Sequence, residues 1–112
     1  MASATPPLGE FEQVVLLAIM RLGDSAFGLT IREEIAACTE REPSAGALYT
    51  TLDRLEEKGL VTSKYGDPSP ERGGRARRYF TVTARGVDAV ARAQRAYQRL
   101  MIGLSLPGGV HA

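Results

Sequence analysis

Residues 71–80 read Glu-Arg-Gly-Gly-Arg-Ala-Arg-Arg-Tyr-Phe, and this stretch decides the fold of the chain. It holds four arginines, a glycine pair and one acid, and it leads into alternating aromatic and β-branched residues. This composition indicates the tip and return strand of a cationic β-hairpin. Burying even one unpaired charge in a small core is too costly. The arginines are therefore expected to be solvated, ion-paired or bound to an anion.

The flanking residues complete the hairpin. Val61–Tyr65 and Arg77–Val82 are the two strand candidates, and glycines, prolines and polar residues fill the loop at positions 66–74. Period-two alternation points Phe80 and Val82 inward and Arg77, Tyr79 and Thr81 outward. Arg78 shares the parity of Phe80, so pairing with an acid of the domain is an alternative to anion binding for that arginine.

Three helices are predicted before the hairpin. The first spans Gly9–Leu22 and is apolar on most sides, which indicates a buried helix. The second runs from about Ala26 to Thr39, after a break where Asp24 or Ser25 is the expected N-cap; its apolar stripe is Phe27, Ile31, Ile35 and Cys38. The third runs from an N-cap at Ser44 to Lys58, with Gly59 as its C′ glycine and Leu48, Leu52 and Leu55 as its core stripe.

One helix is predicted after the hairpin. Thr83 is its expected N-cap, and it runs to about Ile102 or Leu104. Apolar residues recur along it at spacings of three and four, which is a heptad-like seam of about two heptads. The seam consists of Val90, Ala93, Tyr97, Leu100 and Leu104.

Three helices followed by a hairpin are typical of a winged helix-turn-helix, in which the hairpin, here residues 61–82, is called the wing. We therefore expect a mainly α (α+β) fold. Residues 8–83 form the winged domain, residues 84–104 form a C-terminal helix, and residues 1–7 and 105–112 are disordered. A chain of 112 residues suits a single domain.

Composition excludes several classes of protein. There is no apolar run long enough to span a membrane, and the first residues lack the features of a secretory signal. A single cysteine, Cys38, rules out an intramolecular disulfide and fits a cytoplasmic location. We expect Cys38 to be a small core residue.

Catalytic groups are scarce, so we expect neither an enzyme nor a cofactor. The only histidine, His111, lies in the predicted tail, which makes a histidine-based triad untenable. One cysteine and one histidine cannot form a zinc site. Gly73-Gly74 lacks the spacing of a phosphate-binding loop.

Charge is distributed unevenly along the chain. Residues 1–71 carry 6 basic and 12 acidic residues, whereas residues 72–112 carry 8 basic residues and 1 acidic residue. Such asymmetry suggests that the second part binds a polyanion. Alternatively, the arginines line a solvated helix face and pair with the acidic part.

The third helix suits the major groove of DNA. Its first residues are small, and its free amide groups, together with Ser44, could hold a phosphate. The polar residues opposite the core stripe, Thr50, Asp53 and Arg54, are the candidates for base edges. The candidates for phosphates are Ser44, Tyr49, Arg72, Arg75 and Arg77. The alternatives are an ordinary amphipathic helix capped by Ser44, a Tyr49 that packs beneath the wing, and a wing paired with acids.

Four segments in order resemble the short-tailed PadR family of bacterial transcriptional regulators. They are an opening Leu8-Gly9-Glu10-Phe11-Glu12, then Phe27-Gly28-Leu29-Thr30-Ile31, the helix with its exit at residues 44–61, and the hairpin strand with the following helix start at residues 72–86. The second segment has Phe27 where the family commonly has tyrosine. The resemblance covers roughly residues 8–100.

The resemblance implies a homodimer, joined through the C-terminal helix, that represses promoters and is relieved by a small-molecule effector. We accordingly expect a sequence-specific DNA-binding repressor that recognises a pseudo-palindromic operator in double-stranded DNA. The seam residues Val90, Ala93, Tyr97, Leu100 and Leu104 would join the subunits. The alternative is a winged-helix module that docks an acidic protein partner without reading DNA; an enzyme subunit is a more distant rival.

Overall fold

The structure is a computed structural model that describes residues 7–107, with the exception of the Arg72 side chain. Residues 1–6 and 108–112 lie outside the described residues. They include His111 and most of the two segments predicted to be disordered.

Four helices and one hairpin make up the described chain. Helix α1 spans Glu10–Leu22, α2 spans Gly28–Cys38 and α3 spans Ala45–Glu57. Strands β1 (Val61–Tyr65) and β2 (Arg78–Val82) follow, and α4 (Ala84–Met101) ends the fold. Single 3₁₀ turns lie at Gly23–Ser25 and at Pro70–Arg72. This order confirms the predicted winged helix-turn-helix architecture.

The hairpin is antiparallel, and each strand contributes one fully buried residue to the core, Val61 from β1 and Phe80 from β2. Val61 pairs with Val82, Ser63 with Phe80, and Tyr65 with Arg78. The Gly66 N–H donates to the Arg77 carbonyl at 2.7 Å and closes the open end of the ladder. Phe80 is buried, as its parity predicted, whereas Thr81 on the opposite face is exposed.

The core lies where α1, α2 and α3 meet the hairpin. Each helix contributes an apolar stripe, and β2 contributes Phe80. The fully buried residues of the three helical stripes are Val15, Leu16, Ile19, Ile31, Ile35, Leu48, Leu52 and Leu55. Burying these side chains is the main source of stability for a domain this small.

An ion pair between Glu12, which is buried, and Lys58, which is partly exposed, joins α1 to the C-cap of α3. Glu12 is 7% exposed, and its carboxylate accepts hydrogen bonds from Lys58 Nζ at 2.7 Å and from the Gly9 N–H at 2.9 Å. Burial raises the pKa of Glu12, but the hydrogen bonds from Lys58 and Gly9 outweigh it, and the net pKa lies below the usual value for glutamate. The sequence showed Glu12 only as part of the opening segment at residues 8–12.

The start of α2 differs from the prediction. Residues 23–25 form a 3₁₀ turn, so neither Asp24 nor Ser25 caps the helix. Ala26 instead accepts a hydrogen bond from the Phe80 N–H at 2.9 Å, and Phe27 forms a bridge with Tyr79. The helix begins at Gly28, where the Thr30 hydroxyl accepts from the Phe27 N–H at 3.0 Å. Because residues 26 and 27 make these contacts with β2, the helix begins two residues later than predicted.

The prediction for Cys38 was wrong. The residue is exposed, although it follows Ile31 and Ile35 at core spacing. It is the last residue of α2, where the helix has passed beyond the core. Its thiol lies 3.4 Å from Glu34 Oε2.

The predicted seam on α4 needs two corrections. Val90 is only 4% exposed and belongs to the core of its own subunit, so it is not an accessible seam residue. Leu104 lies beyond the end of the helix at Met101 and does not continue the helical stripe. Tyr97 and Leu100 are exposed, and Ala93 lies half-buried between them and Val90.

Candidate nucleic-acid interface

Helix α3 presents one buried and one exposed face. Leu48, Thr51, Leu52 and Leu55 are buried, and they hold the helix on the core. Ser44 is the N-cap, as predicted, because its Oγ accepts a hydrogen bond from the Ala47 N–H at 3.1 Å. The first turn carries only Ala45, Gly46 and Ala47, all exposed. An exposed first turn without bulky side chains gives a polyanion direct access to backbone amides.

The three candidates for base edges lie on the exposed part of this helix. Thr50, Asp53 and Arg54 are all exposed. Asp53 Oδ1 is also within 3.3 Å of Arg78 on β2, so an ion pair to the wing already occupies that carboxylate. Thr50 and Arg54 have no corresponding attachment to the wing among the described contacts.

Tyr49 packs between α2 and the hairpin. A Cβ atom placed on Gly28 would lie 2.3 Å from the Tyr49 hydroxyl oxygen, so only glycine leaves room for the tyrosine there. The Tyr49 ring also lies 6.4 Å from the Phe80 ring. With 37% of the residue exposed, Tyr49 packs beneath the wing and retains a solvent-facing portion.

The wing tip is shaped by its glycine pair. Gly73 and Gly74 have φ angles of 68° and 80°, a region that favours glycine. Their N–H groups donate to the carbonyls of Pro70 and Ser69 at 3.1 and 2.9 Å. The turn thereby folds back and directs residues 75–77 toward β2. Arg75 is exposed near this tip, whereas the side chain of Arg72 lies outside the described part of the chain.

Arg77 stacks on Phe27. Its guanidinium carbon lies 4.2 Å from the centre of the Phe27 ring, and the Tyr79 ring meets the same phenylalanine edge-on at 5.4 Å. Stacking uses the flat face of the guanidinium and leaves the in-plane N–H groups as donors. Phe27, a residue that sequence reasoning assigned to the core stripe, therefore forms the base on which a wing arginine rests.

Arg78, unlike Arg77, is held by acidic side chains of the domain. Its side chain is 23% exposed and forms ion pairs with Glu56 at 2.6 Å and with Asp53 at 3.3 Å. This confirms the alternative that parity allowed for Arg78, which is pairing with acids of the domain. Sequence reasoning missed Glu56 and Ser63 as its partners, because strand parity indicates a direction but not the facing residue on another element.

These side chains surround an open cleft between α2, α3 and the wing. Its volume is about 680 Å³ and its lining combines aromatic rings with arginines. Within residues 7–107, no group of histidine, cysteine, aspartate and glutamate side chains is arranged to hold a metal ion. No helix in that range is long and apolar enough to cross a membrane.

Comparison with known proteins identifies the chain's relatives. The profile of the transcriptional regulator PadR-like family matches residues 16–92. Among curated proteins, no sequence matches significantly. Solved structures that match include a PadR-like transcription factor from Bacteroides fragilis, with 19% identity and a TM-score of 0.70 over 80% of this chain and 82% of that one.

Two further solved structures have similar scores. A PadR family transcription regulator from hypervirulent Clostridium difficile is 23% identical with a TM-score of 0.63, over 81% of this chain and 94% of that one. A regulator of the same family from Eggerthella lenta is 23% identical with a TM-score of 0.66, over 85% and 82% of the two chains. At these identities the likeness establishes the fold, and the profile match establishes the family.

Proposed function

The chain belongs to the PadR-like family of transcriptional regulators, and from that premise we propose that it is a homodimeric repressor that binds operator DNA. The observation that carries the proposal is the cleft in which Tyr49 of α3 lies together with Arg75 and Arg77 of the wing. A helix that fits the major groove next to a cationic hairpin supplies both base contacts and backbone contacts.

Helix α3 would read the bases. The small side chains of Ala45, Gly46 and Ala47 let the first turn approach the duplex, and Ser44 with the free amides would take a phosphate. Thr50 and Arg54 would reach base edges, and arginine suits a bidentate contact with guanine. Asp53 would not contact a base, because its carboxylate forms an ion pair with Arg78 at 3.3 Å.

The wing would position the protein on the DNA backbone. Arg75 and Arg77 are the proposed phosphate contacts of the wing, together with Arg72. The stacking of Arg77 on Phe27 fixes where its donors lie before DNA arrives, which reduces the entropic cost of binding. Tyr49 would contact a phosphate through its hydroxyl at the edge of the cleft.

The C-terminal helix would join two subunits. Tyr97 and Leu100 are 49% and 75% exposed, and with Ala93 they form an apolar strip on α4 beside Pro7 and Leu8. A two-fold axis through this strip would place two α3 helices for a pseudo-palindromic operator, with half-sites about 34 Å apart. Such a dimer would repress by occupying the promoter.

The salt dependence of binding to the gene's own upstream region tests the proposal. Replacing Arg75 and Arg77 with alanine should lower the slope of log affinity against log salt by about 0.9 for each phosphate that the variant no longer binds. Arg95→Ala, on the exposed part of α4 and away from the wing, is the control and should leave the slope unchanged. A slope that stays the same in the double variant would contradict the wing contacts. A folded wild-type chain that binds no genomic DNA would instead favour the protein-interaction module.

A further inference from the structure

The side chain of Arg78 connects the wing to helix α3. From β2, its guanidinium reaches Glu56 Oε1 at 2.6 Å and Asp53 Oδ1 at 3.3 Å, both on α3. Its Nε donates to the Ser63 hydroxyl of β1 at 3.1 Å. The same guanidinium lies 4.8 Å from the centre of the Phe80 ring. One side chain thus contacts α3, both strands and the core.

The bridge is closed by a further contact. The Ser63 hydroxyl donates to Glu56, whose two carboxylate oxygens lie at 3.1 and 3.0 Å. Burial lowers the pKa of the Arg78 guanidinium, but its hydrogen bonds to Glu56 and Asp53 raise it, and the net pKa lies above the usual value. Arg78 therefore keeps its charge throughout the range in which proteins are folded.

Arg78 also affects the charge of α3, the helix that is proposed to face DNA. Asp53 and Glu56 are the two carboxylates of α3 that lie toward the wing, and their side chains are 62% and 37% exposed. Unpaired carboxylates next to a phosphate backbone repel it and weaken binding. Arg78 balances one of these two charges and draws both carboxylates toward β2.

We propose that Arg78 is a positioning residue: it fixes the wing relative to α3 and screens Asp53 and Glu56, without touching DNA itself. This inference rests on the proposed DNA binding. The four arginines of residues 71–80 would then have two different roles. Arg78 would form contacts within the protein, and the other three would bind phosphates.

Four variants separate this role from its alternatives. Arg78→Ala frees both carboxylates. The triple variant with Arg78→Ala, Asp53→Asn and Glu56→Gln removes the arginine and the charges that it screens. Arg78→Lys retains the positive charge but not the fork geometry. Arg21→Ala is the matched control, because Arg21 pairs with Glu34 at 2.6 Å on α1 and α2 and its removal frees a carboxylate outside α3 and the wing.

The readouts are operator affinity, its salt slope and the thermal midpoint of each variant. We expect Arg78→Ala to weaken binding about tenfold or more, Arg78→Lys to weaken it less, and the triple variant to recover most of the affinity. The salt slope should stay that of wild type in Arg78→Ala, since the variant still binds the same phosphates. Arg21→Ala should bind like wild type.

Three outcomes would overturn the inference. A salt slope that falls by about 0.9 in Arg78→Ala would make Arg78 a phosphate contact. A triple variant that binds as weakly as Arg78→Ala, while folded at the assay temperature, would show that the carboxylates are not what Arg78 controls. An Arg78→Ala variant with full affinity would show that it controls nothing at the interface. If wild type itself binds no operator, the proposed function fails, and this inference fails with it.

Discussion

Gly86 lies where α4 passes closest to the strands, and replacing it with alanine should destabilise the fold. A Cβ atom at this position would lie 2.3 Å from the Leu60 carbonyl oxygen and 2.6 Å from Val82 Cγ1. Carbon–oxygen contacts are normally about 3.3 Å or longer, so α4 and the backbone at Leu60 would have to separate by roughly 1 Å. The obstacle is a backbone oxygen, which cannot rotate away. Overpacking of this kind costs about 1–3 kcal/mol, and we expect a net loss of about 2 kcal/mol.

Gly46 is the matched control for this substitution. It also lies in the first turn of a helix, but nothing is within 4 Å of the position where its Cβ would be. Gly46→Ala should therefore gain up to about 1 kcal/mol from helix propensity alone. Urea unfolding followed by circular dichroism, at one fixed protein concentration, measures both changes. A Gly86→Ala variant as stable as wild type, or a pair of variants that shift in the same direction, would contradict the close approach at Gly86.

Three further predictions concern the ion pair, the cysteine and the exposed strip on α4. Glu12→Gln should cost about 1–2 kcal/mol at neutral pH, because it removes the charge from the hydrogen bond with Lys58, whose side chain is 35% exposed. Since the folded pKa of Glu12 is lowered, the wild-type advantage is present above the usual glutamate pKa and is lost as the pH falls through the folded pKa; a pH series of unfolding midpoints that shows a constant difference would argue against the pair. Cys38 should react with a thiol reagent in the native protein at a rate close to that of an unfolded chain, because it is exposed; protection until unfolding would place it in the core after all. Tyr97→Glu should produce monomers in sedimentation experiments and weaken operator binding, and a variant that stays dimeric would refute the proposed interface on α4.

Local signals in the sequence were sufficient for most of the elements. The run of apolar residues in α1, the cap at Ser44 and the positive φ of 76° at Gly59 each follow from chemistry within one turn of chain. Strand parity likewise predicted the burial of Phe80 and the pairing alternative for Arg78. These features need no knowledge of what lies across the core.

Features that depend on a distant element were not predictable in this way. The delayed start of α2 results from hydrogen bonding between Ala26 and Phe80, which are far apart in sequence. Apolar spacing alone could not tell that Val90 faces its own core while Tyr97 is exposed, because both fit one heptad pattern. Of the proposed DNA contacts, the sequence supplied the residue types and the structure supplied their neighbours; the contacts themselves stay predictions.

The cap of α4 has a mechanical consequence. The Thr83 hydroxyl donates to the Gly59 carbonyl at 2.8 Å, and the Thr83 N–H donates to the Leu60 carbonyl at 3.0 Å, so α4 starts at the exit of α3. An 18-residue helix is about 27 Å long. If α4 tilts by about 10° about Thr83, the far end of the helix moves by about 5 Å. In the proposed dimer, a change in the angle between the two α4 helices would therefore alter the distance between the two α3 helices without any change within the wing.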